Sequence, residues 1–526
     1  MPGAEHQYWC INYTCYMKSK ADLFHLIKAM SKSEKRYFTL DAQKTGKKGS
    51  KYLDLFQAIN AMIDYDEAKL KKKFAKSLPS DKAYLYEAIL SSMRDYRSSK
   101  SKVAQIKEMI LDSNYLYERG LYDQCEERLD DAKTLALELD EQLELLEINK
   151  LERILVWNKK ESNYETQLDQ LRTEKQISIQ AIEEEFQYLD IYDQLSKEVI
   201  KRPDLDDPAR KEEFNKNFKL LIDKDLALPN TPQALRKYYQ CLALFYQLQA
   251  NYEKVFEYYS LVVDWWEHNK KMRSEEFFRY IVDISNLLFI CLRLKRYELF
   301  PGLIKQIEAS TPNNQHDQRI VFKRLSLYKL VYFINSGESN GAKTLIAEIE
   351  EGIEKFKIAI ENNLPLIGNT AILAFILEDY PATCKWADQA IKLRKRDARQ
   401  DVQRAMHILY LIATFELDNI DLTDNAIRLV QRNLAQRFEG KAGIFEKTIF
   451  EYIKKMHNGK VQQQQGILIE LKETFESLMA NTSTEIKKGT YGLDELIMHW
   501  IESKTTDISI LEAIQDKQNK LQTANN

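Results

Sequence analysis

Residues 238–261 read YYQCLALFYQLQANYEKVFEYYSL. Apolar side chains run to Leu248, a short polar break holds Gln249, Ala250 and Asn251, and Tyr252 opens a second apolar-periodic stretch. Spacings of three and four put residues on one side of a helix, so each half predicts an amphipathic helix and the whole a helical hairpin. Variants of this phrase recur along most of the chain, which predicts an all-α helical-repeat protein, a class that holds partners.

The recurrence is counted from the residue after each break. Tyr122, Tyr164, Tyr252, Tyr297, Ser339, Tyr380, Ile420 and Val461 serve as anchors, separated by 42, 88, 45, 42, 41, 40 and 41 residues. The step of 88 is close to two periods, so one degenerate unit is expected between Tyr164 and Tyr252. Small or apolar residues follow the anchors at three, seven and ten positions. They are Cys125, Leu129 and Ala132; Val255, Tyr259 and Val262; Thr383, Ala387 and Ala390. That row is the expected packing face of each second helix.

Gly120-Leu121-Tyr122-Asp123-Gln124-Cys125 resembles the G-x-Y-x-x-A phrase that opens the second helix of a tetratricopeptide repeat, and Gly337 with Ala342 keeps part of it. From Ser101 to Met479 the chain resembles such an array, with departures. The period is nearer 42 than the roughly 34 of that family, glycine is mostly missing before the anchor, and no unit is complete. The resemblance implies a right-handed solenoid of eight or nine helical hairpins with a period of about 40–45 residues, its concave face lined by first helices. On the family's inner positions, Gln240, Gln247, Arg293, Arg324 and Asn335 become polar candidates for partner contact, among apolar neighbours Leu244, Phe289, Ile334, Phe375 and Ile412.

Four segments are expected. Residues 1–16, MPGAEHQYWCINYTCY, match nothing that follows, and Met17-Lys18-Ser19-Lys20 reads as a natural start, so the opening is taken as a disordered or spurious leader. Residues 17–100 form a basic N-terminal helical module, in which Ser31 and Glu34 write a capping box. Its phrases SKSEKRYF, YLDLFQAI and AYLYEAIL resemble the start of uncharacterised bacterial tetratricopeptide-like proteins. Between Lys18 and Ile110 there are 21 Lys and Arg against 11 Asp and Glu, a net of +10 in a chain of −3. One reading is a solvated helical surface that docks on the acidic repeats. The other is contact with nucleic-acid phosphates through Lys47, Lys48, Lys51, Lys71, Lys72 and Lys73.

Residues 101–480 are the repeat array and residues 481–526 the capping helices and tail. Within the array, 174–200 predicts one long helix, and the Pro-flanked stretch 202–208 an inter-repeat loop or hinge. Thr231-Pro232 predicts a helix start, Thr311-Pro312 repeats the device, and Pro381 sits just inside its helix. Helices at 491–500 and 508–521 are expected to close the array.

Ten prolines and fifteen glycines in 526 residues suit a mostly helical chain too long for one ordinary core. The six cysteines form no C-x-x-C pair, Cys125, Cys241 and Cys291 on apolar faces are expected to be buried thiols, and no run approaches the ~20 apolar residues of a membrane span. A cytoplasmic protein is expected. No reaction chemistry is legible. Lys44 to Ser50 lacks the first glycine of a phosphate loop, and the seven histidines form no helical pair. Trp265-Trp266 beside Tyr258-Tyr259 has the composition of a ligand cage, but an aromatic row at helical spacing predicts an inter-repeat contact. The expectation is a non-enzymatic scaffold or adaptor that binds a protein or peptide, without cofactor, metal or membrane. The alternative is a regulator that contacts nucleic acid through the basic module.

Overall fold

A computed structural model describes residues 21–44, 51–74, 77–98, 100–159, 162–201, 208–222, 228–359, 363–393, 400–437, 444–481 and 491–525. The leader 1–16, Lys47, Lys48, most of the 202–208 loop and the stretch 482–490 lie outside them. Among the described residues all regular structure is helical, and no helix is long and apolar enough to cross a membrane. The chain divides into two units: Met1–Ala250 with Asp264–Glu276, and Asn251–Val263 with Phe277–Asn526.

The first unit opens with α1 (Asp22–Ala29), α2 (Lys32–Lys44), α3 (Lys51–Ala61), α4 (Glu67–Phe74) and α5 (Leu78–Ser98). They share an apolar core from Leu23 to Ile89. The capping box is formed ahead of α2: the Ser31 N–H donates to Glu34 Oε2 at 2.6 Å, and the Glu34 N–H donates to Ser31 Oγ at 3.2 Å. Then α6 (Lys102–Glu118), α7 (Tyr122–Leu139), α8 (Gln142–Lys159) and α9 (Tyr164–Lys201) pack each on the next.

Helix α9 departs from the expectation of a degenerate hairpin after Tyr164. It runs for 38 residues, and only the short α10 (Pro208–Asn217) and α11 (Lys219–Ile222) separate it from α12 (Pro232–Leu248). No glycine or proline lies between Tyr164 and Lys201, and buried Leu168, Leu171, Ala181, Tyr188 and Leu195 keep an apolar row along the whole length. Nothing stops the helix. Its first half packs on α8, where Asn149 Nδ2 donates to the Leu171 carbonyl at 2.9 Å. Its second half packs on α12, where Cys241 Sγ donates to the Tyr188 carbonyl at 3.2 Å. The start of α12 follows the reading, with Thr231 Oγ1 accepting from the Ala234 N–H and Pro232 in the first turn. The tail of α13 (Tyr252–His268) and α14 (Lys270–Glu275) complete this unit.

The second unit takes the start of α13, then α15 (Phe277–Arg293), a 3-10 turn (Tyr297–Leu299), α16 (Phe300–Glu308), α17 (Gln315–Ser336), α18 (Ala342–Phe356), α19 (Leu364–Ile376), α20 (Tyr380–Ile391) and α21 (Gln400–Glu416). α22 (Ile420–Arg437), α23 (Ile444–Asn458), α24 (Val461–Asn481), α25 (Leu493–Thr506) and α26 (Ile510–Asn525) follow. One core runs from α17 to α26. Helix α19 is buried on nearly every side, and Phe375 and Ile412, inner positions by the resemblance, are core residues. The last helix returns to α17, where Gln515 Nε2 and Gln518 Nε2 donate to the Gly337 and Asn335 carbonyls, both at 2.8 Å.

Every anchor except Ser339 is the first residue of a helical element. The rows at three, seven and ten positions after Tyr122, Tyr252 and Tyr380 are buried throughout, as are Phe300, Ile304 and Ile307 after Tyr297. A shared turn sets these starts. Two residues before the anchor the backbone is left-handed at Gly120 (φ 72), Ala250 (φ 55), Lys295 (φ 58), Glu378 (φ 57) and Asp418 (φ 52). The turn therefore persists where the glycine of the repeat phrase is missing, at a steric cost of about 1 kcal/mol per side chain held there. Ser339 misses because Gly337 (φ 72) and Gly341 (φ 88) widen its turn, and α18 starts at Ala342. Thr311 caps nothing either. Asn314 Oδ1 accepts from the Asp317 N–H at 2.9 Å and starts α17 three residues later.

Candidate partner-binding surfaces

The candidates taken from inner positions fall into both units: Gln240 and Gln247 on α12 in the first, Arg293, Arg324 and Asn335 in the second. Gln240 is buried and Gln247 half-buried. Arg293 is exposed at the end of α15, its guanidinium 5.5 Å from the Tyr252 ring and 5.7 Å from the Phe289 ring. Asn335 turns inward on its own helix, donating to the Val331 carbonyl at 2.7 Å. Arg324, half-buried on α17, lies beside the Tyr328 hydroxyl. That phenol donates to the Ser285 carbonyl at 2.7 Å, and burial pushes it up to about 12.

The basic footprint is partly neutralised within the first unit. Lys51 pairs with the buried Asp81 at 2.6 Å and also meets Ser77 Oγ. Lys71 pairs with Glu67 at 3.2 Å one turn back. Lys72 and Lys73 are exposed on α4, with Lys73 near the Phe74 ring. The surface Lys71–Glu67 pair is worth about 0–1 kcal/mol, so it holds little structure together.

The tryptophan pair is a cage with a tenant from its own chain. Trp265 and Trp266 meet edge to face at 4.8 Å, and the Arg236 guanidinium sits 4.7 Å from the Trp266 ring and 5.3 Å from Trp265. Arg236 is 3% exposed and pairs with Glu276 at 3.3 Å. Gln233 Nε2 also donates to Glu276, at 3.0 Å. Next to it, Glu275 accepts from Ser101 Oγ at 2.8 Å and from the Lys102 N–H at 2.9 Å, at the start of α6. These contacts border a cleft of 280 Å³ lined in part by Lys107, Glu141, Gln233 and Glu276. Burial, with Glu144 and Glu276 nearby, pushes the Glu141 carboxyl up to about 7. Such shifts occur in catalytic clefts and in structural networks alike. Here Glu275 and Glu276 are held by the chain's own donors, which makes the cluster a tie between helices.

Cys241 and Cys291 are buried free thiols, pushed up to about 12 and about 11 by burial, and Cys125 and Cys384 are raised for the same reason. Thiols held protonated are poor nucleophiles and poor ligands. Among the described residues no group of three or more His, Cys, Asp or Glu could hold a metal ion.

Two features escaped the sequence reading. The cage around Arg236 joins residues thirty and forty positions apart, which no local spacing signals. On α17, Arg319 and Lys323 join Arg324. The phrase QRIVFKR contains the signal, three cations at helical spacing, but the inner-position rule selected one of them. No protein-family model matches the chain, and neither a curated protein nor a solved structure matches it.

Proposed function

We propose that the chain is a non-catalytic, cytoplasmic scaffold or adaptor that binds a protein or peptide on a tetratricopeptide-like array. Its hairpins are wound into a right-handed solenoid with a period of about 40–45 residues. The observation behind this reading is the apolar surface that the hairpins of the first unit leave uncovered. Helices α6 and α8 leave Leu111 and Tyr115, and Leu143 and Trp157, more than half exposed, as α7 leaves Leu137 and α9 leaves Ile177 and Phe186. Leu111 and Tyr115 are four positions apart and Leu143 and Trp157 fourteen, so each pair shares a helix face. Burying such side chains is favourable by about 1.5–3 kcal/mol each, and aromatic residues of this kind anchor protein interfaces.

Affinity capture from the native lysate, with and without nuclease, tests the reading when run beside a Tyr115→Ala/Trp157→Ala variant. A protein retained by the parent chain after nuclease and lost from the variant is the expected outcome. Loss of every co-purifying species on nuclease treatment would transfer the function to the basic module and to nucleic acid.

A further inference from the structure

Helix α17 carries a surface of a different kind. Arg319, Lys323 and Arg324 occupy adjacent turns, and among the described residues no carboxylate pairs with any of them. Lys329, lower on the same helix, shows the ordinary arrangement, pairing with Glu308 at 2.6 Å. The polar group beside Arg324 is the Tyr328 phenol, which is neutral. Lys323 is half-buried, and burial together with the Arg324 and Arg319 guanidiniums pushes its ammonium down. Ile320 and Leu327, also half-buried, lie three or four residues from Lys323 and Arg324, and half-buried Val331 lies seven or eight residues on, two turns along, so all three share their side of the helix. Like charges on neighbouring turns repel, and burial of one of them adds to the cost. An incoming anion would relieve both.

We propose that this face of α17 docks an acidic peptide segment, with Arg319, Lys323 and Arg324 receiving its carboxylates and Ile320, Leu327 and Val331 its apolar side chains. The inference rests on the protein-binding reading and names the partner's chemistry. Charge complementarity selects an anionic partner. The aliphatic side chains between the cations select a peptide, because a nucleic-acid backbone offers phosphates at regular spacing and no aliphatic groups to pack there.

The probe is a fluorescein-labelled peptide alternating glutamate and leucine, titrated with the full chain by fluorescence anisotropy. A glutamine–leucine peptide and a single-stranded oligonucleotide serve as comparators. The glutamate peptide is expected to bind at least about tenfold more tightly than the glutamine peptide, and less tightly as salt rises. A Lys323→Gln/Arg324→Gln variant should lose about tenfold in affinity or more. Equal binding of both peptides, no binding of the glutamate peptide, or an unchanged variant would overturn the proposal. So would tighter binding of the oligonucleotide that the variant abolishes, which would make the face a polyanion site. Lys323→Gln alone should melt no lower than the parent chain, and a lower melting temperature would make the lysine a structural residue. A partner captured from lysate without glutamate-peptide binding would defeat this inference alone; absence of both would defeat the protein-binding reading as well.

Discussion

Arg236 in the first unit and Lys323 in the second are cations withdrawn from water in opposite ways. Arg236 is 3% exposed, faces two tryptophans and has Glu276 at 3.3 Å. Lys323 is half-buried with two arginines beside it and no carboxylate partner among the described residues. A buried charge needs compensation, and where the chain supplies it the charge belongs to the fold. Where the chain withholds it, the charge is available to something else. The sequence marks both as ordinary helical cations, and the packing separates them.

The contrast can be broken most severely at the tryptophans. Trp266→Ala, which empties a fully buried site and uncovers Arg236, should lower stability by about 4 kcal/mol in urea unfolding. Glu276→Ala breaks an ion pair made to the buried Arg236 and should cost about 3 kcal/mol. A loss below about 1 kcal/mol would assign the stability of this site to the rings rather than to the ion pair.

Glu141 sharpens the comparison through pH. Its carboxyl is raised to about 7 by burial first, then by Glu144 and Glu276. The folded state therefore holds that proton more tightly than the unfolded chain, whose glutamates titrate near about 4.3. The contribution of the protonated form is full below that value and is lost as pH rises through about 7. Glu141→Gln should match the parent chain at about pH 4 and exceed it at pH 8, by about 2 kcal/mol after discounting for partial exposure. A constant difference across that range would mean that Glu141 titrates like a solvated side chain.

Smaller effects of opposite sign are expected in the second unit. Lys323→Met removes an uncompensated charge and keeps the aliphatic stem, and should raise stability by about 0.5–1 kcal/mol. A decrease would show that Lys323 is compensated after all. Lys295→Gly relieves the left-handed turn before Tyr297 and should add about 0.5 kcal/mol, whereas Gly120→Ala at the matching turn of the first unit should lose about as much. Melting curves of the two variants side by side measure how far the shared turn costs what its geometry implies.

Much of the local structure was legible. Tyr122, Tyr252, Tyr380 and Ile420 begin helices because a polar break with a left-handed residue precedes an apolar row, and both signals lie within a dozen residues. The Ser31–Glu34 box and the Thr231 cap are equally local. The misses have local causes too. The step of 88 predicts a degenerate unit between Tyr164 and Tyr252, whereas the long helix expected over 174–200 extends back to Tyr164, with no glycine or proline to interrupt it before Lys201. At Thr311 the threonine-proline pair predicts a helix start, and Asn314, three residues on, supplies the cap instead. The five inner-position candidates came from the geometry of a repeat family, and the structure gives them unlike surroundings, from buried Gln240 to exposed Arg293.

By itself the sequence determined where helices begin, which face of each is apolar and where the charges cluster, because these follow from spacings of three to ten residues acting on a backbone of fixed pitch. Only the tertiary structure decided which charges are satisfied. Asp81 reaches Lys51 across thirty residues, Glu276 reaches Arg236 across forty, and nothing comparable reaches Lys323 among the described residues. Such pairings depend on how helices dock, and docking is set by the fit of apolar faces that tolerate many charge arrangements around their rims.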